Sequence, residues 1–226
     1  RLKRVTNYDK DDPTLHESDV PPMTRFLVDQ YGDSDEPSVG HRVMFFDIEV
    51  EVTDGFPDIE KAQNPITSIA LYDSMTEKYF TYVFDPKERL KNYSKDDQIV
   101  EFYSTEYEML NKFYQKYLEI RPTIISGWNS EFFDIPYLYN RAIRVLGANV
   151  ASLLSPISEI NYSEFTKKHR IAGVSSLDYL LLYKQFTFTQ QSSYRLDYIG
   201  QQEVGMKKVE YEGTLDDLYE TDLQTF

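Results

Sequence analysis

The chain has 226 residues, 41% of them apolar and none of them cysteine, and its 24 basic and 38 acidic residues leave a net charge of −14. That apolar fraction supplies one good-sized core, or a main domain with a smaller appendage, while the missing cysteines exclude a disulfide framework and any thiolate metal site. The acidic balance repels a phosphate backbone over most of the surface, so composition alone argues against nucleic-acid binding, although bound divalent cations cancel carboxylates locally.

Residues 1–10 are polar and basic, without the apolar stretch of a secretion signal, and no apolar run is long enough to cross a bilayer. A cytoplasmic chain with no membrane partner is expected. Residues 1–42 are rich in Asp, Pro, Gly and Ser, with short apolar pieces near Met23 and Leu27 and no sustained period, and read as a connection from a preceding domain. At Val43 the texture changes. Val-Met-Phe-Phe-Asp-Ile-Glu-Val is a β-forming run, and residues 66–72 and 79–84 follow as further strands of one sheet. From Thr105 the period turns helical: Leu110, Phe113, Tyr114, Tyr117 and Leu118 recur at three and four, Thr105 with Glu108 makes a capping-box pattern, and Pro122 ends the helix. Residues 123–126 read as a short buried strand, followed by the loop Gly127-Trp128-Asn129-Ser130 and a second helix over 134–146, closed by Gly147. The polar stretch 158–170 suggests a hairpin, and 177–186 and 193–204 suggest helices. This order predicts a mixed α/β sheet with covering helices, in a domain over 43–226. The chain opens on Arg1 and closes on Phe226 inside what reads as a new helix, so a fragment is expected, with its parent supplying the basic surface it lacks.

Side chains alternate along a strand, so Asp47 and Glu49 project from one face while Phe46, Ile48 and Val50 pack on the other. Two neighbouring carboxylates repel each other unless a cation lies between their oxygens. With no cysteine and 3 scattered histidines, a hard ion such as Mg²⁺ or Mn²⁺ suits this pattern. An ordinary strand with a solvated face is the plain alternative. Asn129-Ser130-Glu131-Phe132-Phe133-Asp134-Ile135-Pro136 opens the second helix, with Asp134 at or near the cap and Pro136 in the first turn, where its missing N–H costs little. A simple N-cap explains Asp134 but not its neighbours Asn129 and Phe133.

Phe46-Asp47-Ile48-Glu49 and Asn129-x-x-x-Phe133-Asp134, continued by Ile135-Pro136-Tyr137, are similar to the first and second exonuclease motifs of family B DNA polymerases. The flanks resemble the polymerases of large tailed bacteriophages: Asp54-Gly55-Phe56-Pro57, Ser126-Gly127-Trp128-Asn129, Tyr139-Asn140-Arg141, Leu177-Asp178-Tyr179 and the run from Ser193 to Ile199, so that the likeness covers about residues 20–226. The resemblance implies an RNase H-like mixed sheet with flanking helices, of the DnaQ-like exonuclease type. It implies the proofreading 3′→5′ exonuclease region of a replicative polymerase, with residues 1–42 leading in from the polymerase N-terminal domain. Asp47, Glu49 and Asp134 would be the catalytic carboxylates, ligands to two Mg²⁺ or Mn²⁺ ions at which the primer's 3′-terminal phosphodiester is hydrolysed. Asn129 and Phe133 would hold the single-stranded 3′ end, Phe56 would act similarly, and Lys208 would stand near the cleaved phosphate. Phe133 also reads as a core aromatic and Lys208 as a solvated surface lysine. The partners implied are single-stranded primer DNA and the remainder of the polymerase chain, with the protein a monomer.

One family feature is missing. The third motif, Tyr-x-x-x-Asp on a helix, supplies a fourth carboxylate and a tyrosine that orients the attacking water. Tyr219-Glu220-Thr221-Asp222-Leu223 comes nearest, with Asp222 one position early, and by register the motif is expected just past Phe226. Poor binding of the second ion and slow cleavage are expected. Asp178 and Asp197 match no ligand position and are expected to be structural. Two other readings stay open: a non-catalytic nucleic-acid-binding or scaffold module of the same fold, in which Asp47 and Glu49 hold no metal, and a free-standing exonuclease or RNase with a complete third motif.

Overall fold

The computed structural model describes residues 13, 20–52, 55–209 and 213–223, the side chain of Asp216 apart, and they fall into two compact units that divide between Gly40 and His41. Asp54 and Phe226 lie outside the described residues. Among the described residues the first unit holds one helix, α1 (Pro22–Tyr31), where the sequence had suggested only a connection. Proline at its start pre-sets the helical φ, and Arg25 pairs with Asp29 one turn on at 3.6 Å. Met23, Phe26, Leu27 and Tyr31 recur in it at helical spacing, yet none of its residues is buried.

The second unit contains, in chain order, β1 (Val43–Val50), β2 (Ile66–Asp73), β3 (Lys78–Phe84), β4 (Tyr93–Lys95), β5 (Gln98–Tyr103), α2 (Glu106–Ile120), β6 (Ile124–Ser126), α3 (Asp134–Leu146), α4 (Ala148–Ala151), β7 (Ile160–Ser163), β8 (Lys168–Ile171), β9 (Ser175–Ser176), α5 (Tyr179–Phe186), α6 (Leu196–Glu203) and α7 (Leu215–Thr221). Seven strands form one mixed sheet in the order β4-β5-β3-β2-β1-β6-β9. The pairs β1–β2 and β2–β3 are antiparallel, whereas β1–β6, β3–β5 and β6–β9 are parallel. β7 and β8 make the expected hairpin as a separate antiparallel pair. The whole is the RNase H-like arrangement, and α4, β4, β5 and β9 are the elements that periodicity did not reveal.

Apolar alternation sets the core. Met44, Phe46 and Ile48 of β1 are buried together with Ile69 and Leu71 of β2, Leu110, Phe113 and Tyr117 of α2, and Ile135, Tyr137 and Leu138 of α3. α2 starts as its capping pattern predicts: the Thr105 hydroxyl oxygen accepts from the Glu108 amide at 3.2 Å, and the same hydroxyl donates to the Glu108 carboxylate at 2.9 Å. α7 ends at Thr221 with Asp222 as its C-cap, and the expected helix at Phe226 lies outside the described residues. Among the described residues no helix is long and apolar enough to cross a membrane.

Candidate active site

β1 lies inside the sheet, but its two edges are covered unequally. β2 pairs with it from Met44 to Val50, while β6 reaches only Val43, Met44 and Phe45. β6 stops at Ser126 because the chain must turn there, and Gly127 makes the turn possible: a Cβ on it would stand 2.6 Å from the Phe46 carbonyl oxygen and 2.9 Å from the Ser130 Cβ. The start of α3 therefore meets the uncovered half of β1. Asp134 is the first residue of α3, with Phe133 rather than Asp134 as its N-cap. Its buried carboxylate accepts the Ile48 amide at 3.1 Å, and so stands in for the backbone partner that β6 does not provide.

Asp47 and Glu49 flank that amide on the face opposite Phe46 and Ile48, and the Asp47 charge acts on Asp134. Burial, and next to it the Asp47 charge, push Asp134 up to about 7, against the pull of the Ile48 amide. Asp47 keeps an exposed surface, yet protein crowds its carboxylate enough that burial is the main cause of its raised pKa, with Lys208 opposing. Glu49 is raised by burial first, and Lys208, whose Nζ stands 3.9 Å from Glu49 Oε1, pulls it back. Carboxylates whose charges raise one another's pKa in a partly buried place are a donor set that suits a hard divalent cation. Among the described residues, however, no three His, Cys, Asp or Glu side chains stand gathered in a geometry that could hold a metal ion. Glu49 makes its ion pair with Lys208 at 3.9 Å.

The other predicted residues have contacts of their own. Phe56, 78% exposed, packs its ring 5.2 Å from that of Phe133, which in turn lies 5.6 Å from Tyr137. Phe133 is thus half core and half surface, and Phe56 extends its ring outward. Asn129 adopts φ 65°, a left-handed conformation that Asn tolerates better than most residues, and its carbonyl accepts the amides of Phe132 and Phe133 at 3.1 and 3.2 Å. Lys208 donates its amide to Asp197 at 3.0 Å, which gives Asp197 a structural task. Asp178, dismissed by motif matching, is buried and grips the Asn129 loop. Its partners are backbone amides, which leave no residue pattern to find. Tyr219 is placed elsewhere: its hydroxyl donates to Asp85 at the end of β3. The register Glu49↔Ser68↔Val83 puts that point two strands, about 10 Å, across the sheet from Glu49.

The sequence profile described as DNA polymerase family B, exonuclease domain matches residues 29–199. The chain is 34% identical over 214 residues to the DNA-directed DNA polymerase of Escherichia phage RB69, covering 82% of this chain and 24% of that protein. It is 33% identical over 213 residues to the DNA-directed DNA polymerase of Enterobacteria phage T4, covering 79% and 23%. A shorter match, 37% over 101 residues, links 44% of the chain to 11% of DNA polymerase 1 of Saccharolobus solfataricus. The chain spans about a quarter of the length of the phage relatives it matches.

Proposed function

Because the chain belongs to the exonuclease domain of family B DNA polymerases, we propose that it removes the 3′-terminal nucleotide of a primer strand during DNA replication, as the proofreading part of a longer polymerase. The observation that carries this reading is the Asp134 carboxylate bonded to the Ile48 amide between Asp47 and Glu49, which joins the two sequence motifs at one point. We assign the exonuclease to residues 43–226 and the connection from the N-terminal domain to 1–42. The protein acts in the cytoplasm as a monomeric unit attached to the remainder of its polymerase.

Exonuclease domains of this family generally use divalent metals, and the oxygen donors of Asp47, Glu49 and Asp134 fit Mg²⁺ or Mn²⁺ in kind. When bound, such ions supply a water activated as nucleophile and stabilisation of the leaving 3′ oxygen. The chain's own residues do the rest. Asn129 holds the frayed terminus by hydrogen bonds, and Phe133 with Phe56 offers a ring face to its sugar or base, a contact worth about 1–3 kcal/mol per base. Lys208 leaves Glu49 for the scissile phosphate as the strand enters, which frees Glu49 to join the other two carboxylates. With Tyr219 committed to Asp85, the described residues give the site no water-orienting tyrosine from that segment, and cleavage by this chain alone is slow.

The test is digestion of a 3′-labelled single strand in Mn²⁺. Slow release of the terminal nucleotide, abolished by Asp47→Ala and by Asp134→Asn, is the expected result; release that survives both variants would remove these residues from catalysis. Rapid digestion by the native chain would instead remove the claim of an incomplete site. The contact of Lys208 with Glu49 favours a second reading, a nucleic-acid clamp in which the lysine permanently replaces the metal. Calorimetry with Mn²⁺ separates the two, since heat that disappears in Asp134→Asn excludes the clamp.

A further inference from the structure

Asp178 is not among the proposed metal ligands, yet it is only 2% exposed and none of the contacts that hold its carboxylate is with a cationic side chain. Its Oδ1 accepts the amides of Leu180 and Asn129, each at 3.0 Å, and its Oδ2 accepts the amide of Glu131 at 3.1 Å. A residue that served only as N-cap of α5 would need the Leu180 bond alone. The other two bonds cross to a loop that precedes it by 49 and 47 residues. They reach it because residues 177–179 run alongside 125–127: Leu177 N–H donates to the Ile125 carbonyl at 2.9 Å, the Ser126 hydroxyl to the Leu177 carbonyl at 2.7 Å, and Tyr179 N–H to the Gly127 carbonyl at 2.9 Å. The carboxylate is thereby pinned beneath a loop in which Asn129 takes up a left-handed turn. Three backbone amides on one buried carboxylate fix the loop to the start of α5.

We infer that Asp178 is a positioning residue for the exonuclease site: by fixing the amides of Asn129 and Glu131, it sets the direction from which the Asn129 side chain meets the 3′ end. The inference rests on the exonuclease reading above. Asp178 touches no substrate and acts through Asn129 alone.

The experiment is a double-mutant cycle on the whole chain, read as affinity for a fluorescent oligothymidylate whose 3′-terminal linkage is a hydrolysis-resistant phosphorothioate. Asp178→Ser is the principal variant, because a short hydroxyl still caps α5 at Leu180 but cannot span to both loop amides. Asp178→Asn, which keeps the volume, replaces it if circular dichroism shows that Asp178→Ser has not folded. The expected result is affinity weakened about tenfold by either variant, and changed less than about twofold when the same substitution is added to Asn129→Ala, because no side chain is then left to aim. Equal losses in both backgrounds, or no loss in the first, would overturn the positioning role and leave Asp178 a residue of the fold. A native chain that binds no oligonucleotide at all overturns the exonuclease reading itself, so the two failures are distinct.

Discussion

Asp73 shows how a single side chain fixes the frame around the site. It ends β2, is 1% exposed, and is clasped by Arg42, which donates from Nε to Oδ1 at 2.7 Å and from Nη2 to Oδ2 at 2.5 Å just before β1 begins. The Thr76 hydroxyl and the Met75 amide add bonds at 2.7 and 3.2 Å. The Arg42 hydrogen bond is the main reason that the Asp73 carboxyl lies well below the usual carboxylate range, with burial opposing it. A depressed folded-state pKa contributes stability that is complete above the unfolded value of about 4 and is lost as pH falls through the folded value. Asp73→Asn should therefore be less stable than the native chain by a constant margin from pH 7 to about 5, and the margin should narrow at about pH 3. Urea unfolding at each pH measures it, and a margin unchanged at the acid end would show that the charge contributes nothing. Asp73 did not stand out in the sequence, since it is one acid among many until its partners are known, and Asp178 was expected to be structural with no partner that the sequence could name. Strand alternation put Asp47 and Glu49 on one face, and the resemblance of both segments to the family's exonuclease motifs added Asp134 to them.

At the scale of elements, the long periodic pieces were legible and the short polar ones were not. β1, α2 and α3 each bury one face, so their apolar residues recur at two, or at three and four, and their limits came out within a residue or two. β4 has no buried residue and β5 only Val100, and β9 is two serines held by pairing with β6, so tertiary contact alone makes them strands. Contact between elements was equally hidden. Glu106, at the start of α2, accepts the Ile66 amide of β2 at 2.8 Å and takes two hydrogen bonds from Arg141 of α3, at 2.8 and 2.5 Å, while Arg141 also donates to the carbonyls of Ala62 and Gln63. Both side chains are about nine-tenths buried, at 12% and 10% exposure. Removing one partner leaves the other charge buried and unpaired, which costs about 3–5 kcal/mol. Arg141→Ala is expected to lose about that much unfolding free energy in urea and to loosen the α3 start that carries Asp134. A loss below about 1 kcal/mol would mean that water replaces the guanidinium freely and that α3 is held by its apolar face alone.

For the whole molecule the governing quantity is the net charge of −14, so that on the exonuclease reading proposed above a DNA strand approaches against its own sign. Attraction has to be local. Among the described residues, Lys208 is the lysine whose charge acts on both Asp47 and Glu49, and it stands at the mouth of the site with its side chain two-thirds exposed. Each phosphate neutralised on a single strand contributes about −0.7 to the slope of log affinity against log salt. One lysine therefore gives a slope near about −0.7, and salt that screens the surrounding carboxylates moves it toward zero, the reverse of the steep decline seen when a basic groove binds DNA. Anisotropy titrations of an oligothymidylate, from about 50 to about 200 mM monovalent salt at constant Mn²⁺, should give a slope between about −1 and 0, and Lys208→Gln should bring it to zero or make it positive. A slope steeper than about −2 would require three or more phosphate contacts to basic side chains. The domain would then grip DNA along a charged track, and the weak hold expected of the isolated chain, with its dependence on the rest of a polymerase, would be lost.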